Sequence, residues 1–119
     1  MDFDRYSVTL LLLRDDRPEL GDADLDALQD AHMAHLADMH DAGHLLAAGP
    51  LLGPDDRRFR GLSIWRLAPD EVRATIAEHP DPAVVAGRFD VVVLPWMVPA
   101  GALQFAHTRF PRSQADAQT

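Results

Sequence analysis

The sequence has no cysteine, no lysine and no asparagine, and no apolar run long enough to cross a bilayer. The missing cysteine excludes thiolate catalysis, disulfide staples and Cys-ligated zinc, and leaves the cytoplasm as the default compartment. With no lysine, all 11 basic side chains are arginine, and 19 carboxylates outnumber them for a net charge of −8. An acidic surface of this kind repels phosphate backbones, so no nucleic-acid partner is expected. The weakly polar stretch from Val91 to Leu103 is broken by Pro95 and Pro99 and falls short of the ~20 residues of a spanning helix, so no membrane partner is expected either. Asp2 and Asp4 stand where an export signal needs positive charge. The absence of asparagine beside abundant Ala, Asp, Arg and Gly reads as the codon bias of GC-rich DNA and carries no function.

What remains is 119 residues that are 47% hydrophobic, enough for one domain with one core. Tyr6 to Leu13 is aliphatic and β-branched with period two, a strand. From Asp24 the spacing turns helical and runs to Gly43, a residue suited to the left-handed position beyond a helix end. His44 to Ala48 is a short apolar strand, Gly53 to Arg60 a polar loop, and Gly61 to Leu67 a third strand. Pro69 to Glu78 is a helix with Pro at its first position and Asp70 and Glu71 in its first turn. Asp81-Pro82 starts one more helical turn ending near Gly87, and Phe89 to Trp96, apolar on both faces, reads as a buried strand.

The order β, α, β, β, α, β predicts an α+β domain over residues 1–98 with the ferredoxin-like split βαβ sandwich, an antiparallel sheet carrying two helices on one face. Residues 99–119 form an extension whose polar end, Ser113 to Thr119, is expected to be disordered. Leu11, Leu13, Trp65, Leu94 and Trp96 stand on strands whose opposite-parity positions are apolar too, so both sheet faces call for burial. A second copy packed sheet against sheet, a homodimer, is the expected cover; the extension folding back is the other.

On the long helix, Leu25, Leu28, Leu36 and Met39 fall in a stripe about 80° wide with His32 along its middle. A buried imidazole needs a partner, and this residue reads either as a satisfied core histidine or as a functional one. Asp81 is the better partner: it suits a helix N-cap, and its carboxylate would fix the tautomer of His32 to make a base or proton shuttle. Asp41 points away from His32. His35, His40 and His44 do not converge with His32 onto one ion, so no metal is expected. Arg57, Arg58 and Arg60 form the one basic cluster; a solvated loop offset by Asp55 and Asp56 is favoured over a clamp for an acidic substrate, with Arg60 the clamp candidate. Trp65, Met39 and Trp96 are candidate pocket walls, and core packing is the competing role for each.

His32, then Leu45-Leu46-Ala47-Ala48-Gly49-Pro50, then Gly61 with the strand after it, then Asp81-Pro82 and Ala86-Gly87, then Val93 to Trp96, resemble the pattern of the YciI-like (YCII-related) family across most of Tyr6 to Trp96. Ala83 stands where many members carry an aromatic, and Ala47 where a hydroxyl residue is common. The resemblance implies a dimeric α+β barrel with a pocket built around a histidine, matched by His32, and an aspartate, carried over to Asp81. It also implies cofactor-free lyase chemistry, since a characterised relative eliminates chloride from a hydroxylated aromatic.

The reading is therefore a homodimeric lyase or isomerase that acts on a small organic substrate, aromatic or a secondary metabolite, with no metal or organic cofactor. His32 and Asp81 are its catalytic residues, and Trp65, Met39 and Arg60 bind substrate. The alternative is an accessory module that holds a small molecule without turning it over, with His32 and Asp81 as a structural pair.

Overall fold

A computed structural model describes all 119 residues. The elements run β1 (Phe3–Leu13), α1 (Asp22–Asp41), β2 (Leu45–Pro50), β3 (Phe59–Trp65), α2 (Pro69–Glu78), α3 (Pro82–Val85) and β4 (Phe89–Pro99). The strands form one antiparallel sheet in the order β2-β3-β1-β4, so β3 lies between β1 and β2 as the split βαβ arrangement requires. No helix is long and apolar enough to cross a membrane.

The alternation of β1 sorts the sheet into two faces. Ser7, Thr9, Leu11 and Leu13 share a face with Ser63 and Trp65 of β3 and with Phe89, Val91 and Val93 of β4. This face packs under the helices in two clusters, Met39, Leu45, Trp65 and Val72 at one end and Leu13, Ala83 and Phe89 at the other. Tyr6, Val8 and Leu10, with Leu62, Ile64, Val92, Leu94 and Trp96, line the opposite face, which no helix covers. Leu94 and Trp96 there are 43% and 38% exposed.

Three sequence expectations need correction. β4 is an edge strand rather than a buried one, which is why it tolerates Pro95, a residue with no N–H for an outer neighbour. β1 and β4 extend beyond the expected ends because they pair with each other from Phe3 opposite Pro99 to Leu13 opposite Phe89, past the reach of β3. The polar terminus is placed rather than loose. Arg112 reaches Asp38 and Asp41 of α1 at 2.8 and 2.6 Å, the Gln114 N–H donates to Asp30, and a last helical turn spans Asp116–Gln118.

Two bulges shape the β2–β3 side. Leu11 lies opposite Gly61 while Leu12 lies opposite Phe59, so Arg60 is an extra residue in β3. Leu46 is likewise an extra residue in β2, which lets Leu45 and Leu46 both be buried. Bulges bend the strand and re-aim side chains. Gly87, at φ +79°, makes the left-handed turn that sends the chain from α3 into β4.

Candidate functional site

The loop after α2 ends in Asp81, which caps α3 by accepting the Ala83 N–H on Oδ1 at 2.9 Å. Pro82 takes the first helical position, where its missing N–H is no loss. The cap fixes the carboxylate and turns Oδ2 toward α1, where it lies 2.6 Å from Nδ1 of His32. The two side chains are only 11% and 13% exposed. A carboxylate accepts, so Nδ1–H is the donor, and in the neutral ring the free lone pair sits on Nε2. Nε2 has no protein partner and, since no fully buried side-chain polar atom is left without one, it is not sealed off; His32 itself lines a cavity. The Phe89 ring meets the imidazole edge-on at 6.5 Å.

That cavity has a volume of about 580 Å³, within the ~300–1,000 Å³ of small-molecule sites. Leu11 and Leu36 give it an apolar floor, and Ala48 to Pro50 and Gly61 to Ser63 form its sheet side. Thr108 to Pro111 of the C-terminal extension form one wall of it. This wall is held by Phe110, whose ring stacks on His40 at 4.0 Å, and by His40 itself, whose two nitrogens lie 2.7 and 2.8 Å from the carbonyl oxygens of Leu45 and Thr108. A second cavity of about 210 Å³ is lined by Asp81, His35, Trp65 and Thr9. Burial there pushes the His35 pKa below its ordinary value, against the opposing pull of the Asp81 charge.

The predicted site residues scatter between these places. His32 and Arg60 line the larger cavity, and Asp81 and Trp65 the smaller. The Trp65 indole is spent on a buried bond to Thr9 Oγ1 at 2.9 Å. Met39 is corrected: it packs between Leu45, Trp65 and Val72 and lines neither cavity, because the end of α1 lies on the core. Trp96 stands on the uncovered sheet face beside Tyr6, away from His32. Asp41 is paired with Arg112. No three imidazole or carboxylate groups converge as a metal site would need.

Sequence reasoning missed Arg88, Phe89 and the wall from Thr108 to Pro111. Arg88 stands directly after the Ala86-Gly87 turn, and that position carries its only sequence signal. The wall had none.

No curated protein matches the chain. Among solved structures, the fold is similar to that of 5-chloro-2-hydroxyhydroquinone dehydrochlorinase from Burkholderia phenoliruptrix in complex with 2,5-dihydroxybenzoquinone, at 23% identity and TM-score 0.50, covering 76% of this chain and 92% of that one. It is also similar to SnoaB, a cofactor-independent oxygenase from Streptomyces nogalater, at 12% identity and TM-score 0.49, covering 87% and 100%. A dimeric ferredoxin-like protein of unknown function from Bacteroides fragilis matches at 17% identity and TM-score 0.43, covering 79% and 95%. The YCII-related domain matches residues 8–97, three quarters of the sequence, and the chain therefore belongs to the YCII-related domain family.

Proposed function

We propose that the chain is a lyase or isomerase that works on a small organic substrate without metal or organic cofactor, with His32 as general acid–base and Asp81 as the residue that orients it. The observation that carries this reading is the 2.6 Å bond from His32 Nδ1–H to Asp81, which leaves Nε2 unpartnered on a residue that lines a cavity of small-molecule size. In this arrangement Nε2 takes a proton from a substrate carbon or hydroxyl, and the released electron pair forms a new π bond. A leaving group then departs with its own electron pair, or the imidazolium returns the proton at a second carbon. Asp81 offsets the positive charge that forms on the ring, and one well-placed base of this kind supplies roughly 10²- to 10⁴-fold.

The sheet face that no helix covers supports a homodimer: Phe105 of the extension packs on Tyr6 there, while Leu94 and Trp96 stay exposed. Leu94, Trp96, Val8, Leu10 and Ile64 make a continuous apolar surface, and a second copy is its simplest cover.

The test is incubation in heavy water with 5-chloro-2-hydroxyhydroquinone, which the dehydrochlorinase is named for, and with a panel of hydroxyquinones. Chloride release and deuterium incorporation into carbon are read by NMR. Wild type is expected to turn over or exchange at least one compound, and folded His32→Gln to lose about two orders of magnitude or more. Equal rates in the two proteins would end the catalytic assignment. Binding by wild type without exchange or turnover would favour the accessory module.

A further inference from the structure

The arginines around the larger cavity have an unusual electrostatic situation. In a chain with 19 carboxylates to 11 arginines, Arg57, Arg60, Arg88 and Arg109 line this cavity and no carboxylate does. Arg109 is paired with Asp116, but Arg57, Arg60 and Arg88 form no ion pair. Arg57 and Arg60 are nonetheless held in place. Arg57 Nε and one amino group donate to the carbonyls of Leu51, Gly53 and Pro54. The bulge residue Arg60 donates to the carbonyls of Arg57 and Asp55. The Arg88 guanidinium stands 5.3 Å from the centre of the Phe89 ring, the same ring that faces His32, and makes no hydrogen bond. Burial, followed by the neighbouring positive charges of Arg57, Arg88 and Arg17, lowers the Arg60 pKa against the smaller opposing pull of Asp55. Burial and Arg17 do the same to Arg88.

Like charges that outnumber the carboxylates near them in a partly buried space destabilise the folded protein, and an anion relieves that repulsion on binding. The guanidinium fork matches a carboxylate in two parallel bonds, and the apolar lining of Leu11, Leu36 and Phe110 suits a carbon ring. We infer that the cavity beside His32 is a binding site for a small organic carboxylate, with Arg60 and Arg88 as charge partners of the carboxylate and Arg57 supporting the bulge that presents Arg60. This names the substrate class for the proposed acid–base site and rests on that reading only for the chemistry after binding.

The test compares gentisate with hydroquinone, which differ by one carboxylate, by calorimetric titration of the full chain. Gentisate is expected to bind at least tenfold more tightly, the preference shrinking as salt is raised. Arg88→Gln is the main variant, because the Arg88 side chain makes no hydrogen bond and its backbone bonds to Ala83 and Arg14 stay in the variant. It should melt no lower than wild type without ligand and lose about tenfold in gentisate affinity. Arg60→Gln should lose affinity as well. Equal binding of the two probes, unchanged gentisate affinity in both variants, or inorganic phosphate competing as well as benzoate would overturn the inference. The two readings fail separately. Folded His32→Gln should still bind gentisate within a few fold, so carboxylate binding without His32-dependent exchange removes the catalytic assignment alone. His32-dependent exchange on a neutral compound, without carboxylate preference, removes the anion site alone.

Discussion

Replacing His32 by Leu, which keeps apolar volume and removes the donor, tests how far the pair holds the structure together. The two side chains lie 2.6 Å apart and are nearly withdrawn from water, and a hydrogen bond to a charged group of this kind contributes about 1.5–3 kcal/mol. Asp81 keeps its bond from Ala83 in the variant, so one carboxylate oxygen is stranded rather than two. His32→Leu should therefore cost about 2 kcal/mol. Asp81→Ala loses the same bond and the N-cap of α3, for about 3 kcal/mol in all. Independent effects would add to about 5 kcal/mol in the double variant; because both single variants break one shared bond, the double should lose only about 3, a coupling of about 2 kcal/mol. At roughly 4 °C per kcal/mol, the single variants should melt about 8 and 12 °C below wild type. Urea unfolding followed by circular dichroism measures all four proteins. A coupling below about 0.5 kcal/mol would refute the reasoning, since that is the scatter of unrelated sites. A loss near 2 kcal/mol still leaves a domain of ordinary stability folded at room temperature, so activity can be measured on the same variant.

Three further outcomes are expected from the same geometry. Burial lowers the His35 pKa from 6.5, so on acidification the unfolded chain takes up this proton first; His35 contributes stability above about pH 6.5 that is lost as pH falls toward its folded value. His35→Gln should flatten that part of the stability profile, and an unchanged slope would count against the burial. The uncovered sheet face predicts a particle of twice the 13.1 kDa chain mass by light scattering, reduced to a monomer by Trp96→Glu; a wild-type monomer at tens of micromolar would remove the dimer. Phe110→Ala should cost about 2 kcal/mol through the lost stack on His40 and lost core contact. It should also speed amide exchange across residues 104–119; unaltered exchange there would show that the stack does not seat the wall.

The order of elements was legible because each carried its own local signal: period two in β1, helical spacing in α1, and Pro69 followed by acidic residues in α2. The polar pair was legible too. A histidine in an apolar helical stripe needs a partner, and Asp-Pro marks a capped helix start, so both halves of the contact could be named before their distance was known. Arg60 was harder. Period two alone would send it to the opposite face from its neighbour Gly61, and only the bulge, set by pairing with β1, brings it to the cavity. The last residues, Ser113 to Thr119, read as disordered because they are polar, yet the Gln114 N–H meets Asp30 of α1, 84 residues away in sequence. Composition reports how polar a segment is and says nothing of which distant charges await it.

The mechanism turns on one proton. If Asp81 holds His32 through Nδ1, the neutral imidazole carries its hydrogen there and leaves Nε2 bare on a residue that lines the cavity. Nitrogen-15 NMR of the histidine rings, with His32 assigned by substitution, reads this directly. The expected result is the Nδ1–H tautomer for His32 in wild type and a mixture of tautomers in Asp81→Ala. A neutral His32 protonated on Nε2 in wild type would contradict the mechanism, because the nitrogen facing the substrate would then have no lone pair with which to act as a base.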